Sequence, residues 1–261
     1  MSTLNYLGTL EQSLRLTQSE KNSIETSKDT IITRLKSYFG DRISSVQVFG
    51  SYKRYVNLSR RADPHSDVDL LVVFDDPTEF EPQTYINQLK AFAELRYSTS
   101  EIKQSNPSLK LNLDHITFEL TPAIHSFGSY YKIPDKADSY SKWISTNPFE
   151  IDSLGKLMDV DDYRRLTRLI KYWNACYSGR LFNSFKLEEH ILGFGSFTNT
   201  QNLKQALFTY LKNLGSHNLT SQSGKNYLEN TKNTIVKIEE LERAGHTTAA
   251  EDLVKKIFPP L

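Results

Sequence analysis

At 261 residues and 38% hydrophobic, the chain can bury a substantial core, as one large domain or two small ones, and its composition argues against disorder. Lys plus Arg (32) nearly balance Asp plus Glu (31), so no global positive charge draws it to nucleic acid or a membrane surface, and any polyanionic ligand must be met by a local site. The single cysteine, Cys176, excludes an intramolecular disulfide and a cysteine-based zinc cluster. No apolar run approaches the roughly 20 residues of a membrane span. The polar start "MSTLNYLGTLEQ" lacks the basic and apolar regions of a signal peptide, so a cytoplasmic location without membrane attachment is expected.

Thr17 and Glu20 form a capping-box pattern, and Ile24, Ile31, Leu35 and Tyr38 follow at helical spacing, which predicts a helix over 18–39 closed by Gly40. "VQVF" (46–49) and "DVDLLVVF" (67–74) are β-branched apolar runs of strand length and read as neighbouring strands. Pro82 opens a helical stretch with Ile86, Leu89 and Ala93 on one face, and two strands, 109–113 and 116–121, flank Asp114 and His115. Residues 128–150 carry Tyr130, Tyr131, Tyr140, Trp143 and Phe149 among turn residues, and read as an ordered crossover. From about Asp159 onward the texture is helical, the last helix being capped by Thr248 with Glu251 and ending at Pro259. The expected division is therefore 1–158, mixed α/β, and 159–261, all helical.

Two aspartates interrupt the second apolar run. Strand alternation projects Asp67 and Asp69 from one face, roughly 7 Å apart at Cα on a rise of about 3.3 Å per residue. Carboxylates so close repel unless a cation lies between them, and oxygen ligands of this kind suit Mg²⁺ in a two-metal site. A bare D-x-D favours an edge strand with two solvated aspartates and decides little by itself. Glu119 adds weight, because alternation in "ITFELTP" puts Thr117, Glu119 and Thr121 on the face opposite Ile116, Phe118 and Leu120. Directly after "VQVF", Gly50 and Ser51 form a strand-to-helix turn able to present backbone N–H groups and a hydroxyl to phosphate, although Gly-Ser turns are common.

With these residues in place, "FGSYKR…HSDVDLLVVF…ITFELTPAI" resembles the nucleotidyltransferase core shared by polymerase β, the oligoadenylate synthetases and cGAS: Gly-Ser, then D-x-D, then an acid three residues before a proline. The chain is most similar to the bacterial cGAS/DncV-like nucleotidyltransferases, in particular the CdnE group, through "LKSYFGD", "SDVDLLVVF", "YSTSEI", "YKIP", "LIKYWNA" and "SFKLEEHI", as far as about residue 192. The resemblance implies an α+β fold: a polymerase β-like core of twisted mixed sheet with helices, a C-terminal helical lobe, and an active site in the cleft between them.

The resemblance also implies roles. Asp67, Asp69 and Glu119 would be catalytic and bind two Mg²⁺ ions, with Mn²⁺ as a substitute. Gly50 and Ser51 would hold phosphates. Lys171 and Ser184 would reach the donor triphosphate, and Phe185 would stack on the donor base. Where relatives carry "FGSYTRGT", this chain has "FGSYKRYVN", so Lys53 could add a phosphate contact and Tyr55 could narrow the pocket. The implied activity joins two nucleoside triphosphates into a cyclic dinucleotide sensed by a separate effector in antiphage defence, with no DNA requirement, and a monomer is expected. The rivals are a linear oligonucleotide synthase, a toxin-type transferase acting on tRNA or protein, and an inactive nucleotide-binding scaffold.

Other residues carry plainer expectations. Leu166, Leu169, Ile170 and Trp173 form a core stripe, Arg164, Arg168 and Lys171 share another face that would ordinarily be solvated, and Trp143 should lie in the core. The six histidines lack ligand spacing, and none is assigned to metal.

Overall fold

A computed structural model describes residues 2–75, 78–105, 107–135, 142–151, 160–194 and 202–261. The chain divides into two compact units, one comprising Leu16–Arg60 and His65–Ser153, the other Met1–Arg15, Arg61–Pro64 and Leu154–Leu261.

The first unit holds a seven-stranded mixed sheet. Helix α2 (Gln18–Phe39) begins at the expected capping box, with Thr17 Oγ1 accepting from the Glu20 N–H and Glu20 accepting from the Thr17 N–H, and it closes at Gly40. Strand β1 (Ile43–Phe49) runs three residues further upstream than its apolar run suggests and leads into a single turn, α3 (Gly50–Lys53). Strand β2 (Asp67–Phe74), helix α4 (Pro82–Arg96), β3 (Glu101–Ser105), β4 (Ser108–Asn112) and β5 (Thr117–His125) follow. The strand order is β1-β2-β5-β4-β3, with β2 and β5 parallel and the other pairs antiparallel.

Period-two alternation explains the layering. Val68, Leu70, Val72 and Phe74 of β2, with Phe118 and Leu120 of β5 and Leu109 and Leu111 of β4, face a core completed by Ile24, Ile31, Leu35 and Phe39 of α2 and Tyr85, Leu89, Phe92 and Ala93 of α4. On the opposite face, among the described residues, a smaller apolar cluster forms from Leu71, Val73, Ala123 and Tyr131, with Phe49, Ile133 and Phe149 partly buried against it. That face is therefore left partly open where β2 and β5 begin, and there the acidic residues project.

Two strands inside the crossover and one before it escape the sequence reading. β6 (Tyr131–Pro134) pairs with β5 and with β7 (Trp143–Thr146), so the segment extends the sheet instead of looping across it. Trp143 is half-buried against the core, its Nε1–H donating to the Phe80 carbonyl at 3.0 Å. Residues 136–141, including Tyr140, lie outside the described residues. β3 is hard to read because its "EIKQS" is polar and largely exposed, held by backbone pairing to β4.

The second unit is helical: α1 (Thr3–Leu14), α5 (Val160–Cys176), α6 (Ser184–Gly193), α7 (Leu203–Asn213), α8 (Gln222–Arg243) and α9 (Thr247–Ile257). Helix α1 belongs here, whereas a boundary at residue 158 groups it with the sheet. Its buried Leu7, Leu10 and Leu14 supply an apolar face, the Tyr6 hydroxyl donates to the Phe258 carbonyl at 2.6 Å, and buried Glu11 accepts from Arg168 Nε at 2.6 Å. The core stripe of α5 is as expected, with Leu166, Leu169, Ile170 and Trp173 fully buried. Two of its three basic residues are not solvated: Arg168 and Lys171 are buried, paired with Glu11 and Glu188, while Arg164 stays partly exposed beside Asp161. The expected cap of the last helix is also corrected. His246 stands at the N-cap without a side-chain hydrogen bond, and Glu251 instead pairs with Lys255 at 2.8 Å, because Gly245 (φ 81) turns the chain tightly and starts the helix two residues earlier. Among the described residues, no helix is long and apolar enough to cross a membrane.

Candidate active site

The parallel pairing of β2 with β5 sets Asp67 beside Thr117 and Asp69 beside Glu119. Asp67, Asp69 and Glu119 are each half-buried, and one carboxylate oxygen from each lies within 4.8 Å of the others. Hard oxygen donors gathered at this spacing suit an oxygen-seeking divalent cation such as Mg²⁺. The two aspartates sit at the start of a strand that is buried from Leu70 onward, so the apolar half of β2 anchors them while their own end stays accessible.

The Gly-Ser turn lies against this trio. Gly50 adopts φ +71, a region glycine enters without strain, and a Cβ built on it would fall 1.9 Å from Asp69 Oδ2. The absence of a side chain is thus what lets the turn approach the carboxylate. α3 is only one turn long, so close backbone approach, more than a helix dipole, defines this cradle. Tyr52 anchors the turn to α2 by donating its hydroxyl to Glu25 Oε1 at 2.5 Å, and Glu25 also pairs with Lys28. Burial and the Glu25 carboxylate push the Tyr52 phenol well up, keeping it protonated as a donor. Lys53 sets its ammonium over the Phe149 ring, 4.1 Å from the centroid.

Two residues at this site went unread in the sequence. Lys110 on β4 is the register partner of Glu119, with Nζ 2.5 Å from Glu119 Oε1. Ser108, buried and two residues earlier on the same face, donates to Glu119 Oε2 at 2.9 Å. Both oxygens of Glu119 are therefore held from the neighbouring strand. Burial works against the Lys110 charge, but the hydrogen bond and charge of Glu119, with Asp67 and Asp69 beyond, outweigh it and hold the lysine above its ordinary range. The alternation of Ser108 and Lys110 in "SLKLN" was visible, but their opposition to Glu119 depends on strand register.

On the helical unit, Ser184 and Phe185 occupy the first turn of α6, behind the N-cap Asn183, whose Oδ1 accepts from the Phe185 N–H at 3.0 Å. Phe185 is 46% exposed and is not core. Lys171 of α5 donates to Glu188 Oε1 of α6 at 3.1 Å, so that ion pair fastens the two helices together. Arg180, held by Asp63 at 2.5 Å, places Nη1 3.5 Å from Ser184 Oγ.

Residues 1–154, more than half of the chain, match the Second Messenger Oligonucleotide or Dinucleotide Synthetase domain, and the chain belongs to that family. Its fold is that of the cGAS/DncV-like nucleotidyltransferases. The Vibrio cholerae DncV cyclic AMP-GMP synthase superposes with a TM-score of 0.77 at 11% identity, over 95% of this chain and 93% of that one. The Bradyrhizobium diazoefficiens CdnG in complex with GTP gives 0.71 at 14% identity over 97% of both chains. The Escherichia coli CdnC with ATP gives 0.66 at 13% identity, covering 98% of this chain and 95% of the other. No curated protein sequence matches the chain.

Proposed function

We propose that the protein is a nucleotidyltransferase of the CdnE-like group that joins two nucleoside triphosphates into a cyclic dinucleotide, releasing pyrophosphate at each step. The observation that carries this reading is the acidic trio on adjacent parallel strands, with the Gly50 backbone packed against Asp69. Asp67, Asp69 and Glu119 would hold two Mg²⁺ ions, which when bound supply Lewis acidity and neutralise the charge developing around phosphorus.

The chain's own groups do the positioning. Gly50 and Ser51 present backbone N–H groups and a hydroxyl to the β- and γ-phosphates, and Lys53 stands two residues beyond as a further phosphate contact. The family pattern gives Lys171 and Ser184 to the same triphosphate and Phe185 to the donor base, for which an exposed ring is suited. The acceptor hydroxyl attacks the α-phosphorus, the bond to the β-phosphate breaks, and Glu119 receives the hydroxyl proton. Catalysis on this reading is mainly alignment and electrostatic stabilisation. The released product acts on a separate effector in antiphage defence.

The test is to incubate the protein with all four NTPs and Mg²⁺ or Mn²⁺, treat with phosphatase, and analyse what survives by mass spectrometry. A resistant species with the mass of two ring-joined nucleotides is the expected result. Linear products replace the cyclase with an oligonucleotide synthase, and near wild-type turnover by a well-folded Asp69→Asn variant overturns the assignment of the site.

A further inference from the structure

The Lys110 ammonium is placed where a cation would be expected. Three carboxylates whose oxygens lie within 4.8 Å repel one another, and Lys110 Nζ lies 2.5 Å from one of them, Glu119 Oε1. The placement is fixed by the fold: Lys110 and Glu119 face each other across the antiparallel β4–β5 pair, and the Ser108 hydroxyl secures the other oxygen. An ammonium in this position opposes a divalent ion approaching the same carboxylate. It is also removable, because the Lys110 side chain is 38% exposed on a flexible stem and can swing toward solvent.

We propose that Lys110 is a built-in counter-cation of the acidic trio, holding Glu119 on the site face before a divalent ion binds and competing with that ion for the Glu119 carboxylate. The inference rests on the metal-dependent reading of the site and adds a positioning residue that sets how tightly the site takes its metal. A surface ion pair of purely structural significance would leave metal affinity unchanged.

The experiment measures Mn²⁺ binding to the nucleotide-free full chain by electron paramagnetic resonance, following the signal of free Mn²⁺, alongside thermal melts. Removing one unit charge a few ångströms from a half-buried ion site is worth about tenfold in affinity. Lys110→Met is therefore expected to bind Mn²⁺ about tenfold more tightly than wild type, and Lys110→Arg to stay close to wild type. The gain should vanish in Lys110→Met/Glu119→Gln, because the competition is for Glu119. If Lys110→Met lowers the melting temperature appreciably, Lys110→Gln replaces it.

Unchanged or weaker Mn²⁺ binding by a well-folded Lys110→Met, while wild-type binding is lost in Asp69→Asn, overturns the counter-cation and leaves the site reading standing. Absence of Mn²⁺ binding in wild type and Lys110→Met alike overturns both.

Discussion

Gly50 and Asp69 are packed so closely that no side chain fits between them: a Cβ on Gly50 would lie 1.9 Å from Asp69 Oδ2 and 2.8 Å from its Cγ. The carboxylate belongs to the acidic trio, so the added methyl must displace either the turn or that carboxylate oxygen. Gly50→Ala also forces alanine to φ +71, a strain of about 1–2 kcal/mol. The expected outcome is a protein less stable by at least that amount, with nucleotidyl transfer reduced by two orders of magnitude or more. Denaturant titration and NTP turnover on the same sample check both parts.

Tyr52 ties the Gly-Ser turn to α2 through Glu25. Tyr52→Phe keeps the half-buried ring and removes only the donor, so it should cost about 1 kcal/mol of stability, Glu25 being partly solvated and still paired with Lys28. On the proposed reading the turn meets the triphosphate, and because the bond orients it, KM for the triphosphate should rise several-fold with a smaller change in kcat. A kcat loss with KM unchanged would remove Tyr52 from the positioning of the turn.

The same turn shows how far residue types alone could be read. "DVDLLVVF" and "ITFELTP" announce strands because their alternation is strong, and period two puts Asp67 with Asp69 on one face and Glu119 opposite the apolar residues of its own strand, while bringing the three together takes the parallel β2–β5 pairing. What could not be read depends on register or on distant partners. Lys110 looks like an ordinary strand lysine until β4 sets it opposite Glu119, and Tyr52 looks apolar until α2 offers it Glu25. Arg168 and Lys171 lie on what seems a solvated face of α5, and only the buried Glu11 and Glu188 explain their burial. Helix α1 went unread for a related reason, since its apolar face is completed within a unit assembled mainly from the other end of the chain.

Tyr55 holds φ 60 just beyond this turn, with 64% of its surface exposed. A left-handed backbone is unfavourable for tyrosine by roughly 1–2 kcal/mol, and the greater freedom of glycine in the unfolded chain returns part of that. Tyr55→Gly is therefore expected to stabilise the protein by up to about 1 kcal/mol, read from chemical denaturation. A concurrent change in KM for one nucleotide over others would show that the strain is retained for recognition. A destabilised variant would mean that the contacts of the Tyr55 ring outweigh the strain.

Glu11 provides the pH-dependent part of the helical unit's stability. Burial opposes its charge, but the hydrogen bond from Arg15 and the charge and hydrogen bonds of Arg168 outweigh burial and hold its carboxyl below the usual range. With a depressed folded pKa, the stabilisation is fully present above the ordinary carboxylate pKa and is lost as pH falls through the folded value. Glu11→Gln leaves the buried Arg168 guanidinium without its counter-charge, which should cost about 3 kcal/mol at neutral pH. The same substitution should flatten the acid limb of the stability profile between about pH 5 and pH 2. Trp173 is buried in the helical unit and Trp143 lies in the sheet unit, so fluorescence-detected denaturation of the Trp143→Phe background isolates the relevant transition. An acid limb equally steep in Glu11→Gln and its parent would assign the acid sensitivity to other carboxylates.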